Sequence, residues 1–181
     1  MAAKLTRDSI LDATLQLAEE KGLGAVSMRE VARRLHVTPM ALYNHVANKQ
    51  ELLDGLVERL LAELPTPDPE KPWRAQLEEL AESLRATARR YPDVFPLLLK
   101  RPAGTPAAKR SRETIYEALK AAGIPERDVP RAERVISTFM LGFAASEAGG
   151  RFAHHAKKEL DKDIDLFGDA MVAMLARTSA E

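Results

Sequence analysis

"RRLHVTPMALYNHVANKQELL", residues 33–53, is the stretch on which the fold turns. A proline stands in the middle of an otherwise helical pattern, followed by Tyr43, Asn44 and His45 in a row. Threonine is a good N-cap, and proline is tolerated at the first helical position, where its missing N–H would be unpaired anyway. Thr38-Pro39 therefore opens a helix rather than breaking one. Just upstream, Ser27-Met28-Arg29-Glu30 has the form of a capping box, with Ser27 and Glu30 expected to bond each other's backbone amides. It starts a short helix ending near Leu35. Two short helices joined by about three residues (His36, Val37, Thr38) make a helix-turn-helix. In that motif the second helix lies in the DNA major groove and its N-terminal residues meet base edges.

Leu42 and Val46 stand at i,i+4 and are expected to face a core beside Val31, Leu35 and Val37. Met40, Ala41, Tyr43, Asn44 and His45 are left outward or toward the flanks. Lys49, in the first turn of the next helix, suits a phosphate together with the helix amides. Tyr43 and His45 can donate to phosphates, and Arg29 could reach a guanine with two hydrogen bonds. Met40 and Ala41 offer apolar contact to a thymine methyl; Asn44 could pair with adenine or touch the backbone. Plainer readings exist for each: a solvated Arg29, a half-buried Tyr43, a His45 that caps its own helix C-terminus.

Outward from this motif the 3.6-residue period recurs, and no alternating strand stands out. From Thr6, Ile10, Ala13 and Leu17 form one apolar row and Leu11, Leu15 and Ala18 another, up to the Gly22/Gly24 pair. Asn48 to Glu51 is a further N-cap pattern, opening a helix with Leu52, Leu53, Leu56, Val57, Leu60 and Leu61. "LPTPDPEKPW", residues 64–73, is the seam. The expected organisation is a DNA-binding domain with its linking helix over 1–63 and a second helical domain over 64–181. In the latter, helices are expected from Trp73 to Arg90, about Pro106 to Ala122, about Pro130 to Ala148 and about Ile164 to Arg177. A short apolar piece spans Val94 to Leu99. The fold class is all-α.

Composition excludes more than it suggests. The 181 residues carry 27 Lys plus Arg against 27 Asp plus Glu, so net charge points to no partner. Residues 29–50 hold Arg29, Arg33, Arg34 and Lys49 against Glu30, a local excess of about +3. The absence of cysteine excludes disulfides and thiolate chemistry. No apolar run approaches the ~18 residues of a membrane span, and a soluble cytoplasmic protein without a cofactor is the expectation.

Residues 6–61 resemble the TetR family of bacterial repressors. The matching stretches are "TRDSILDATLQLAEEKG" and "SMREVARRLHVTPMALYNHVANKQELL", and the string from Leu42 to Lys49 is similar to the tetracycline-repressor branch. The resemblance implies an all-helical homodimer that binds a palindromic DNA operator and releases it when a small molecule enters the C-terminal domain. It places DNA contacts on Arg29, Thr38, Pro39, Met40, Ala41, Tyr43, Asn44, His45 and Lys49. It extends more weakly from Trp73 to about Gly150, including Phe139 to Gly142. Tetracycline repressors hold a magnesium–drug chelate with polar residues and histidine. This chain has no histidine from Val46 to Ala153, and Leu80, Leu84 and Leu98 stand where drug-binding groups would align. Those side chains would leave the chelate's polar edge unpaired, so a mainly apolar effector is expected instead, and no metal.

Leu80, Leu84, Leu98, Ile115, Tyr116, Phe139 and Phe143, with Leu77 and Phe95, could line an effector pocket or simply fill a core. Tyr116 adds a hydroxyl that could orient a ligand. His154-His155 reads as solvated, since adjacent helical residues point about 100° apart and His155 with Glu159 lacks a third ligand. Asp161, Asp163 and Asp165 read as charge at a helix N-terminus. Met140, Ala144, Phe167, Met171 and Met174, with Phe139, Phe143 and Ile164, make apolar faces on the last two helices. Small residues Gly142, Ala145, Ala148 and Ala170 would let a second copy approach, giving a two-fold four-helix bundle. A DNA-binding protein without ligand control is the alternative. No Ser-His-Asp, metal or phosphate-loop arrangement suggests an enzyme.

Overall fold

The computed structural model describes residues 5–101 and 104–178, the side chains of residues 172 and 174–178 excepted. Among the described residues the chain is helical throughout, with no strand. The order is α1 (Arg7–Lys21), a 3-10 turn (Leu23–Ala25), α2 (Met28–Arg34), α3 (Pro39–Tyr43), α4 (Lys49–Ala62) and α5 (Trp73–Arg90). Then follow α6 (Leu97–Lys100), α7 (Pro106–Ala121), α8 (Val129–Ala148) and α9 (Lys157–Thr178).

Local chemistry sets most of these boundaries. The Thr6 hydroxyl accepts from the Ser9 amide while the Ser9 hydroxyl accepts from the Thr6 amide, closing a box at the start of α1. Thr38, Asn48 and Thr105 cap α3, α4 and α7 through the amides of Ala41, Glu51 and Ala108. Each such cap is worth about 1 kcal/mol. At Ser27 only half of the expected box forms. The Ser27 hydroxyl accepts from the Glu30 amide at 3.2 Å, but the Glu30 carboxylate turns to Arg33, 2.9 Å from Nη2. An ion pair one turn on outcompetes a neutral amide for that carboxylate.

α2 ends in a Schellman motif: the Val37 amide donates to the Ala32 carbonyl and the His36 amide to that of Arg33. Gly123 and Gly150 hold the equivalent left-handed position after α7 and α8, whereas here it is His36, at φ 55°. This reversal aims α3 across α2. Ile10, Leu17, Val26, Val31, Leu42, Val46, Leu52 and Leu56 fill the core beneath, and Gly55 lets α4 close on Leu11 of α1.

Residues 63–72 connect α4 to α5 without helix, pinned by the Gln76 side-chain amide, which donates to the carbonyls of Pro69 and Lys71. Beyond it α5, α7 and α8 pack together around Leu80, Leu84, Ile115, Leu119 and Ile136, with α9 laid over α5 and α8. α9 begins at Lys157, seven residues before the expected start at Ile164. Its first two turns are polar apart from Leu160, which is buried, so apolar periodicity alone could not find them. Asp161, Asp163 and Asp165 consequently lie within the helix rather than at its N-terminus. No described helix is long and apolar enough to cross a membrane.

Candidate nucleic-acid interface and internal cavity

The caps at Thr38 and Asn48 fix where α3 and α4 begin, and the burial of Leu42 and Val46 fixes which way α3 faces. With those two inward, Thr38, Pro39, Met40, Tyr43, Asn44 and His45 are exposed and Ala41 is half-buried. Met40 is 72% exposed and Tyr43 50%, so both side chains are free to meet a partner. Arg29, exposed on the first turn of α2, and Lys49, half-buried at the first position of α4, flank α3 in the chain. All nine of the residues expected at DNA thus belong to one small unit, α2 to the start of α4.

The positive charge of this unit is less than a count over residues 29–50 implies. Arg33 is paired with Glu30, and Arg34 reaches back to α1, 2.6 Å from Glu20 with Gln16 beside it. These hydrogen bonds hold the Glu20 and Glu30 carboxyls below their ordinary values. Arg29 adds to the positive field on Glu30, but neither it nor Lys49 has a carboxylate within ion-pair distance among the described residues. Lys49 sits against the helix dipole, an unfavourable place for a cation unless an anion joins it there.

A cavity of about 110 Å³, open to solvent on one side, lies where α4, α5, α6, α7 and α8 meet. Val57, Leu61 and Leu64 from α4 and its end, Leu80 and Leu84 from α5, and Leu98 from α6 supply the apolar wall, with Ile115 from α7 and Met140 and Leu141 from α8. Its polar groups are Arg101, Ser111, Arg112, Glu133 and Ser137. Of the seven expected pocket residues, Leu80, Leu84, Leu98 and Ile115 are here. Tyr116 is half-buried but does not line this space. Phe139 and Phe143 point elsewhere: Phe139 stacks on Phe167 of α9 with ring centroids 3.5 Å apart, and Phe143 lies near Arg85 and Phe152. Phe139 and Phe143 lie about 100° and 60° round α8 from Met140 on the same side, the flank that faces Ala81 and Arg85 of α5 and Ile164 of α9.

The residues expected between subunits are largely occupied within the chain. Ala144 and Met171 are buried, Met140 lines the cavity, and Phe167 is covered by Phe139. One chain's α8 and α9 consume each other's apolar residues first, because they already lie against α5. The side chain of Met174 lies outside the described residues. Among the described residues, the uncharged side chains that α8 and α9 leave exposed include Val135, Thr138 and, on α9, Leu166, Ala170 and Ala173, with Leu166 69% exposed.

Three polar features had no signature in the sequence reading. Arg85, 4% exposed, donates to Glu147 of α8 and Asp161 of α9 as well as Glu82 on its own helix. Arg101, after α6, donates from Nε to Asp54 at 2.5 Å, from Nη1 to the Gln50 side chain at 2.8 Å and from Nη2 to the Gln50 carbonyl at 3.1 Å. The Glu58 carboxylate of α4 accepts from the Ala107 amide at the start of α7. Pairs 47–76 residues apart have no periodic trace. His154 and His155 are exposed, and His155 Nδ1 lies 3.6 Å from Glu159.

Residues 66–170 match the family of the tetracyclin repressor-like C-terminal domain, and residues 10–56 match that of bacterial regulatory proteins of the tetR family. The HTH-type transcriptional repressor DrrR1 of Streptomyces coeruleorubidus is 31% identical over 178 residues, covering 97% of this chain and 65% of its own length. The chain thus spans just under two thirds of that relative. Two solved structures share the fold over nearly the whole chain. BioQ with its double-stranded DNA operator has 30% identity and a TM-score of 0.78, covering 94% of this chain and 99% of that one. ActR of Streptomyces coelicolor in complex with actinorhodin has 25% identity and a TM-score of 0.83, covering 99% and 100%. The chain belongs to the TetR family of bacterial regulatory proteins.

Proposed function

We propose that this protein is a transcriptional repressor that grips a palindromic operator as a homodimer and lets go when a small, mainly apolar effector fills the cavity between α4 and α8. Its domains divide at the end of α4, residues 1–63 reading DNA and 64–181 binding effector and partner. The observation that carries this reading is the double use of α4. Its C-terminal half supplies Val57 and Leu61 to the cavity wall, while its N-terminus holds Lys49 and the cap that follows α3. A cavity that changes shape must move α4, and α4 carries the recognition unit with it. Relatives bound to an operator in one structure and to a small molecule in another support the pairing of the two activities.

A dimer reads two half-sites only at a separation of about one helical turn of DNA, roughly 34 Å. A ligand that binds better to another separation shifts the population off DNA. The outward residues Val135 and Thr138 of α8 and Leu166, Ala170 and Ala173 of α9 are proposed as the centre of the dimer face. Sedimentation as a monomer at micromolar concentration would remove that part. The coupling is tested by filling the cavity covalently. Leu84→Trp puts an indole into it, and operator affinity is expected to fall tenfold or more with the helical signal retained. Unchanged affinity in a folded Leu84→Trp variant would leave a DNA-binding protein without ligand control.

A further inference from the structure

We infer that the effector is an amphipathic anion, an apolar body bearing one acidic group, and that this group works by taking Arg101 away from α4. The inference rests on the cavity being the effector site.

Arg101 occupies two places at once. Its side chain lines the cavity beside Leu98, Arg112 and Ile115. The same guanidinium ties down α4 through Asp54 and Gln50, using Nε, Nη1 and Nη2. A second recess adjoins the cavity and shares Leu61, Leu64, Leu80 and Ser111 with it; it adds Arg110, which is exposed. Around the joined space stand three guanidinium groups, Arg101, Arg110 and Arg112, and one carboxylate, Glu133 on the α8 wall. An acid entering there meets positive charge on the α6–α7 side and a like charge on the α8 side. Its head is therefore oriented toward Arg101, and its body toward Leu80, Leu84 and Met140.

A carboxylate inside a mainly apolar space competes well for that arginine. Asp54 is about half exposed and partly compensated by water, whereas an acid in the cavity lies beside Leu80, Leu84 and Met140, where a charged contact is less screened. Arg101 presents a planar fork suited to two parallel bonds to a carboxylate, so the exchange replaces one bidentate partner set by another. Asp54 is then left to solvent at little cost, and α4 loses its tether to α6. A neutral group of the same shape can fill the cavity and press on α4, but it leaves the Arg101 tether in place, so the acid is the stronger effector.

The test uses the full chain and matched triplets of probes: naphthalene-1-acetic acid, its primary amide and 2-(1-naphthyl)ethylamine, with a biphenyl triplet of the same design. Binding is read by calorimetry. The acid of at least one triplet is expected to bind ten times or more tighter than its amide and amine. Arg101→Gln is expected to erase that preference, and Asp54→Asn, which removes the competitor, to tighten the acid several-fold. Thermal melts confirm that both variants fold. Equal binding of acid and amide, preference for the amine through Glu133, no binding of any acid, or an acid preference that survives Arg101→Gln would each overturn the inference. The function reading fails separately. If the acid binds through Arg101 and operator affinity stays unchanged, the anion site stands and the release mechanism falls. If an amide or amine releases the operator, the opposite holds.

Discussion

Replacing Glu147 with glutamine is expected to destabilise the C-terminal helices by about 2 kcal/mol, and the figure can be built from the geometry. Glu147 is only 13% exposed and accepts from Arg85 Nε at 2.6 Å and Nη2 at 3.0 Å, with Arg89 Nη1 at 3.5 Å. Breaking a fully buried ion pair costs about 3–5 kcal/mol, because the surviving charge is stranded. Arg85 is not stranded entirely, since Asp161 and Glu82, both about half exposed, remain beside it. What goes is the share of one hydrogen-bonded charge pair, roughly 1.5–3 kcal/mol. For a chain of this size that corresponds to a fall in melting temperature of about 6 °C. Arg85→Met should cost at least as much, because it leaves Glu147 inside with only the more distant Arg89. The double variant should lose less than the sum of the two, a coupling of about 1–2 kcal/mol.

The pH dependence follows from the same contact. Hydrogen bonding to Arg85 holds the Glu147 carboxyl below its ordinary value of 4.5, and the charges of Arg85 and Arg89 add to this. A group depressed on folding contributes stability above its unfolded value and loses it as pH falls through its folded value. The gap between the native chain and Glu147→Gln should therefore be full at pH 7 and shrink below about pH 4.5. Urea titrations at fixed protein concentration, at pH 7 and across pH 3–5, measure both. A Glu147→Gln chain as stable as the native one at pH 7, or a gap unchanged down to pH 3, would refute the reasoning.

Further expectations concern the DNA-binding half. His36 holds a left-handed conformation that β-branched residues resist, so His36→Val should cost about 1–2 kcal/mol while His36→Gly is neutral or slightly stabilising; thermal melts decide it, and equal losses would contradict it. A methyl added at Gly55 falls 2.4 Å from Leu11 Cδ2. Gly55→Ala should thus lose about 1 kcal/mol net, overpacking exceeding the gain in helix propensity, and a gain in urea stability would show that Leu11 moves aside freely. Lys49→Ala should weaken binding to operator and scrambled duplexes alike and reduce the salt slope by about 1; a sequence-selective loss would mean that Lys49 reads a base rather than a phosphate.

The helix-turn-helix was legible because its signals are local. Thr38-Pro39 and Asn48 to Glu51 place two caps within four residues each, and Leu42 with Val46 fixes which side of α3 turns inward. Even there the reading fell short where partners lie off the segment. Glu20 of α1 neutralises Arg34, which a count over residues 29–50 cannot include. In the C-terminal half the apolar positions were legible but their neighbours were not. Leu80 and Phe139 both read as apolar helical residues, yet one faces the cavity and the other α9, a choice made by tertiary packing. The ties of Arg85 to Glu147 and of Arg101 to Asp54 join residues far apart in sequence and leave no pattern at all. The start of α9 was missed because a polar helix has no apolar stripe to mark it.

Operator recognition by this chain is measured by anisotropy of a labelled duplex from the DNA upstream of the gene, beside a scrambled duplex, at physiological salt. Operator recognition by α3 predicts a preference on the order of 10³-fold or more, saturating at whole dimers per duplex. The preference should collapse when Met40 and Tyr43 are both replaced by alanine. Equal binding to both duplexes would make the exposed face of α3 a non-specific surface. A preference untouched by those two substitutions would place the reading of DNA somewhere else on the chain.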